Sequence, residues 1–168
     1  MKIAKRNPRL FVGMFAVAAA IAGIAFATPI VKLTSPLLSV GNQQADIHKE
    51  GTAVSATGEP FSVQLRTYGA STFSTQVAAF SVGGQNGWHS HPGLVAVTVL
   101  SGAIRWYDQD CKPTVYKAGD SWVEGSQLHA FRNIGNKNVE LAAWFITAPG
   151  QPLRTDEPAP ACAANLGL

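Results

Sequence analysis

Gly83-Gly84-Gln85-Asn86-Gly87-Trp88-His89-Ser90-His91-Pro92-Gly93 is the stretch that decides the fold of this 168-residue chain. Two histidines one residue apart in β-type sequence project from the same side of a strand. The residues that follow, Leu94 to Leu100 (Leu-Val-Ala-Val-Thr-Val-Leu), form a β-rich run that ends in a Ser101-Gly102 turn signal. The pair therefore opens a strand, not a helix. His129 sits in a second glycine-bounded strand pattern, and only His48 of the four histidines lies outside these two segments. Two neutral imidazoles on one strand face, joined by one from a neighbouring strand, make a three-nitrogen facial set suited to a divalent Fe, Mn, Zn, Ni or Cu ion.

Outward from this stretch the chain is a series of short apolar or alternating runs. They are Phe61 to Leu65, Thr72 to Val82, Leu94 to Leu100, Ile104 to Tyr107, Thr114 to Tyr116, Ser121 to Val123, Leu128 to Arg132 and Val139 to Ile146. Turn signals such as Pro92-Gly93, Ala118-Gly119 and Gly125-Ser126 separate them, and no stretch after residue 32 keeps a 3.6-residue apolar period. The expected domain is all-β. Many short strands with closely spaced turns favour closure, which removes exposed strand edges, so a jelly-roll barrel is the predicted form.

The spacings around the histidines resemble those of the cupins. The first motif of that family reads Gly, five residues, His-x-His, three or four residues, Glu, six residues, Gly, and Gly83, His89, His91 and Gly102 fall into place. Val95 on the shorter spacing, or Ala96 on the longer, occupies the glutamate position, so the carboxylate usual there is missing. Gly119, Gly125, His129 and Asn133 match the second motif, with Glu124 and Gly125 where a proline is expected and one residue fewer between Gly119 and His129. The resemblance covers residues 60 to 150. It implies a double-stranded β-helix with His89, His91 and His129 as metal ligands, a small-molecule ligand or substrate, and dimerisation through strand edges. By the same analogy it implies an oxygenase or isomerase, with a noncatalytic binding or sensing module as the alternative.

Strand alternation places Gln127 and Phe131 on the face of His129 as candidate pocket residues, and sends Trp88 to the face opposite His89, where packing is its expected role. Trp106, Trp122 and Trp144 sit inside strand runs and read as barrel filling. Glu124 and Asp120 fall at a turn, where a solvated carboxylate is expected. No Gly-x-Ser-x-Gly elbow, phosphate-binding glycine loop or paired active-site carboxylates are found, which removes hydrolase, kinase and glycosidase readings.

The N-terminus carries Lys2, Lys5, Arg6 and Arg9 ahead of an uncharged run from Leu10 to Val31. Residues 1–31 read as an export signal, either cleaved after Ala27 in the small-x-small sequence Ala25-Phe26-Ala27 or kept as a transmembrane helix that tethers the chain to the membrane. The leader holds 4 of the 13 basic residues and no acidic ones, leaving 9 basic against 10 acidic, a net of −1 for the exported part. No basic stripe remains to bind nucleic acid.

Residues 32–59 mix Ser, Thr, Gly, Gln and charge and read as a linker or irregular barrel edge, with His48 as a solvated loop residue. Residues 151–168 form a Pro-rich tail. Export makes a disulfide between Cys111 and Cys162, the two cysteines of the chain, the expected state.

Overall fold

The structure is a computed structural model that describes residues 27–168. Its elements in chain order are β1 (Val31–Thr34), β2 (Leu37–Gln43), β3 (His48–Val54), β4 (Pro60–Arg66), β5 (Ser71–Gln85), β6 (His89–Ser90), β7 (Leu94–Ser101), β8 (Ala103–Tyr107), β9 (Pro113–Lys117), β10 (Ser121–Glu124), β11 (Ala130–Asn133), β12 (Val139–Thr147), β13 (Thr155–Asp156) and a short 3-10 helix, Ala161–Asn165. The main sheet runs β10-β7-β12-β5-β11-β8-β9, and both β1 and β2 add to β5. Every pairing is antiparallel. The sheet curls into a nearly closed barrel, as a jelly roll does.

Alternation along β7 turns Val95, Val97 and Val99 inward, where they meet Phe80, Ile104, Leu141 and Phe145 in one buried core. β-branched residues hold the extended chain because their χ1 freedom is small and their side chains pack on a pleated surface. At the seam between the two ends of the sheet, Tyr116 of β9 stacks on Trp122 of β10 with centroids 4.3 Å apart. Aromatic packing thus joins β9 to β10 where no ladder does.

Two expectations are corrected. The run Phe61 to Leu65 does form a strand, but it pairs with β3 in a separate exposed hairpin and not with the barrel. Its residue types favour extended backbone, while the choice of partner belongs to tertiary packing. The sheet also takes in β1 and β2 from residues 31–43, mostly within the segment read as a linker or irregular barrel edge. The predicted leader helix falls mainly on residues 1–26, outside the described residues. Its expected last residues are not helical: Ala27 bridges Pro158, and Val31 opens β1 opposite Gln85, because their backbone groups find partners on the barrel. No helix among the described residues is long and apolar enough to cross a membrane.

The tail is integral to the barrel. Its β13 pairs with the histidine strand β6, Thr155 opposite Ser90 and Asp156 opposite His89, and Cys162 is disulfide-bonded to Cys111. The bridge closes a sequence separation of 51 residues. In the chain-entropy picture a loop of this size stabilises the fold by about 4 kcal/mol. A Cys111→Ala, Cys162→Ala double variant should lose stability of that order in denaturant unfolding.

Gly102 follows β7 with φ 78°, and a Cβ there would stand 2.6 Å from Val139 Cγ2. Gly83 likewise has φ 72°. Both need left-handed backbone, which costs a residue with a Cβ roughly 1–2 kcal/mol. Gly102→Ala should destabilise the domain by more than that, since the clash adds to the strain. Gly125→Ala should cost little, because Gly125 is not left-handed and its new Cβ would meet only the end of the Gln127 side chain at 3.3 Å. Urea midpoints of the two variants check this contrast.

Candidate functional site

The site starts from backbone pairing. His89 and His129 face each other as an antiparallel bridge, the N–H of each donating to the carbonyl of the other at 2.9 and 3.0 Å. His91, two residues on from His89, returns to the same face. The ring centroids lie 4.9 Å apart for His89 and His91, 4.3 Å for His89 and His129, and 5.1 Å for His91 and His129. All three residues are buried, and one ring nitrogen from each lies within 4.8 Å of the others.

Each ring is held by its outer nitrogen. Nδ1 of His89 donates to the Gly87 carbonyl at 3.0 Å, Nδ1 of His91 to the Leu153 carbonyl at 2.6 Å, and Nδ1 of His129 to the Gln127 carbonyl at 2.9 Å. A carbonyl only accepts, so the proton must sit on Nδ1 in all three. The lone pair of a neutral ring is then on Nε2. Nε2 of His91 and of His129 is buried without any hydrogen-bond partner, and Nε2 of His89 meets only the Asn86 amide at 3.5 Å. Buried polar atoms are nearly always satisfied, so three inward Nε2 atoms of this kind fit a bound cation.

The turn reading of Glu124 is overturned. It is the last residue of β10, which extends one position beyond the predicted run, and the alternation of Ser121, Trp122, Val123 and Glu124 buries it beside Trp122. Its Oε1 accepts the indole N–H of Trp106 at 2.8 Å and of Trp122 at 2.7 Å. The same oxygen lies 3.3 Å from His129 Nε2, and Oε2 lies 3.3 Å from His91 Nε2. The two tryptophans therefore do more than fill the barrel. The period-two rule applied across Trp122 carries the signal for Glu124, since it puts both residues on one face. The indole donor from Trp106 lies 18 residues away in sequence and has no local signal.

Burial alone would push the Glu124 carboxyl up. The adjoining His129 and His91 rings, when protonated, together with the Trp122 indole N–H, outweigh it and hold the group well below its ordinary value of 4.5. Burial, then the charges of His129 and Arg154, holds the His89 imidazole well below 6.5. Bare imidazole lone pairs facing a carboxylate repel one another in this low-dielectric setting, so the cluster needs a positive charge among its members, either protons or a metal ion.

Both shifts act in one direction on stability. Between the unfolded and folded values the unfolded chain binds more protons, so stability rises with pH across that interval. Through these two groups the metal-stripped protein should lose stability as pH falls below 6.5, by way of His89, and again below 4.5, by way of Glu124. Unfolding followed over a pH series checks this, and His89→Gln should remove the upper step.

His89, His91 and Glu124 line a cavity of about 120 Å³ with mainly apolar walls, among them Val95, Val97, Phe131, Leu141 and Phe145. Arg154 lines it and is paired with Asp156 through Nε at 2.8 Å and through Nη2. Phe131 thus sits in the cavity. Gln127 is exposed and lines a second hollow with Trp106, Asp108 and His129, while its carbonyl orients the His129 ring. Asn133 acts as a latch: its amide donates to the carbonyls of Phe80, Ser81 and Lys137, and its Oδ1 accepts from the Gly135 N–H. Trp88 is fully buried on the far side with Tyr107, Ala130 and Ala163. His48 lies on β3 beside Tyr68 and takes no part in the cluster.

Residues 76–145 match the family model described as Cupin domain, and this part of the chain is a cupin domain. Among solved structures, the chain is similar to an oxalate oxidase in complex with the substrate analogue glycolate, at 23% identity and TM-score 0.43, with 48% of this chain and 45% of that chain aligned. It is also similar to an uncharacterized conserved protein with a double-stranded β-helix domain from Klebsiella pneumoniae subsp. pneumoniae, at 26% identity, TM-score 0.45, and 51% and 75% of the two chains. A third is the polyketide cyclase RemF from Streptomyces resistomycificus, at 15% identity, TM-score 0.44, and 50% and 59% coverage. The chain spans less than half the length of the oxalate oxidase that it matches. No curated protein matches it.

Proposed function

We propose that this cupin domain binds one divalent transition metal through the Nε2 atoms of His89, His91 and His129 and presents it to a small organic molecule in the apolar cavity. The observation that carries the reading is the tautomer lock: three Nδ1 atoms bound to backbone carbonyls leave the Nε2 lone pairs of three buried rings whose ligand atoms lie within 4.8 Å of one another. Imidazole nitrogen is a ligand for Fe, Mn, Zn, Ni and Cu alike, so the donor set names the class of ion and not its identity. A metal held by few protein donors keeps positions open for substrate, and supplies Lewis-acid or dioxygen chemistry when bound. The reaction class we favour is oxygenation or isomerisation of a small, largely apolar molecule. The leader and the Cys111–Cys162 bridge support a location outside the cytoplasm.

A noncatalytic binding module is the competing reading. It draws support from the cavity wall, where the titratable groups other than the histidines, Glu124 and Arg154, are both already engaged by protein partners. Turnover of any substrate by metal-loaded protein would decide for the enzyme.

Elemental analysis of full-length protein purified without chelator should find close to one transition metal per chain. His89→Ala, His91→Ala protein should contain none while keeping its disulfide and barrel circular dichroism. Metal-free wild-type protein that also fails to take up Zn²⁺, Fe²⁺ or Mn²⁺ would sink the proposal.

A further inference from the structure

We infer that Glu124 supplies, through Oε2 and from β10, the carboxylate ligand that Val95 withholds on β7. The inference rests on the metal reading above and extends the donor set from three nitrogens to three nitrogens and one carboxylate oxygen.

The register of β10 on β7 brings the two positions together. Val95 and Glu124 are direct cross-strand partners in the β7–β10 ladder. Side chains of such a pair stand on the same face with Cβ atoms about 4.5–5.5 Å apart. Both line the same cavity. A carboxylate sent inward from either position reaches the same region, so the loss at one strand is made good at its neighbour.

The two carboxylate oxygens of Glu124 have different surroundings. Oε1 already accepts two indole N–H bonds, from Trp106 and Trp122. Oε2 accepts none, and faces His91 Nε2 at 3.3 Å. Metal–nitrogen and metal–oxygen bonds near 2.1 Å place neighbouring donors roughly 3.0–3.4 Å apart around an octahedral or tetrahedral ion. The observed 3.3 Å falls in that range. A ring whose proton is fixed on Nδ1 offers Oε2 no donor in its neutral form, so a cation shared between Nε2 and Oε2 turns a repulsive contact into an attractive one. Trp106 and Trp122 are positioning residues here, holding Oε1 so that Oε2 keeps its aim.

The added negative charge alters the expected preference of the site. A neutral three-imidazole shell matches catalytic zinc, whereas histidines with a carboxylate are the set that hard ions such as Fe²⁺ and Mn²⁺ accept with open positions.

The experiment uses Co²⁺ as the probe on full-length, metal-stripped protein, with affinity measured against a chromophoric chelator and the visible d–d spectrum recorded. Glu124→Gln should weaken Co²⁺ binding at least ~10-fold and change the spectrum, while Trp106→Phe should weaken it less. Val95→Glu placed in the Glu124→Gln background should regain most of the lost affinity, which a purely structural role for Glu124 would not allow. Unchanged affinity and spectrum in Glu124→Gln overturns the inference while leaving the metal site standing. Wild-type protein that binds no Co²⁺ overturns both. A crystal structure of the Co²⁺-loaded wild type reads the same point independently of how the variants fold: Oε2 about 2.0–2.3 Å from the ion supports the assignment, and Oε2 beyond ~3 Å rejects it.

Discussion

A single buried carboxylate ties this barrel together. Glu124 stands at the end of β10, one edge of the sheet, yet it receives a hydrogen bond from Trp106 on β8, near the other edge. It also receives one from Trp122 on its own strand and faces His91 and His129. An ionised carboxylate away from water persists only when its lone pairs are matched by donors or cations. The indoles supply donors, the seam of the barrel closes through them, and the rest of that requirement falls on the histidine cluster. Removing one member would leave the others as unpaired buried charge or unpaired donors, so the seam of the barrel and the site share the same groups.

The histidines obey a parallel constraint. Their outer nitrogens are spoken for by carbonyls from three separate places: Gly87 in the turn before β6, Gln127 in the loop before β11, and Leu153 in the tail. The Leu153 contact gives the tail a role beyond tethering. The Cys111–Cys162 bridge and the β13–β6 pairing hold the tail against the strand that carries His89, and the tail in turn orients His91. Oxidising conditions and site geometry are thereby coupled. Thr28, just past the expected cleavage point, extends the same scheme by accepting the Trp88 N–H at 2.6 Å, one residue from His89.

Much of this could be read from residues in a row. The His-x-His pair opening a β run, the separated strand runs and the pairing expected of the two cysteines all rest on local rules of alternation, turn chemistry and compartment. The structure agrees with them in the barrel, the converging rings and the bridge. Glu124 escaped because its strand was cut one residue short, and a carboxylate next to glycine reads as solvated unless its partners are known. Those partners come from β8, from the residue after β6 and from the residue before β11, and no local pattern names them. The hairpin of β3 and β4 failed for the same reason in reverse: alternation identified a strand, but not which strand it would pair with.

The chain by itself therefore determined what depends on neighbours along the backbone: the extended segments, the turns, the shared face of His89 and His91, and the closed β form that such segments favour. The tertiary structure alone decided which groups meet. The register of β10 on β7 put Glu124 opposite Val95, and the bridge between His89 and His129 closed the ring of donors. The physical reason is that side-chain direction repeats every two residues and is local, whereas strand register is chosen by the burial and hydrogen bonding of the whole sheet at once.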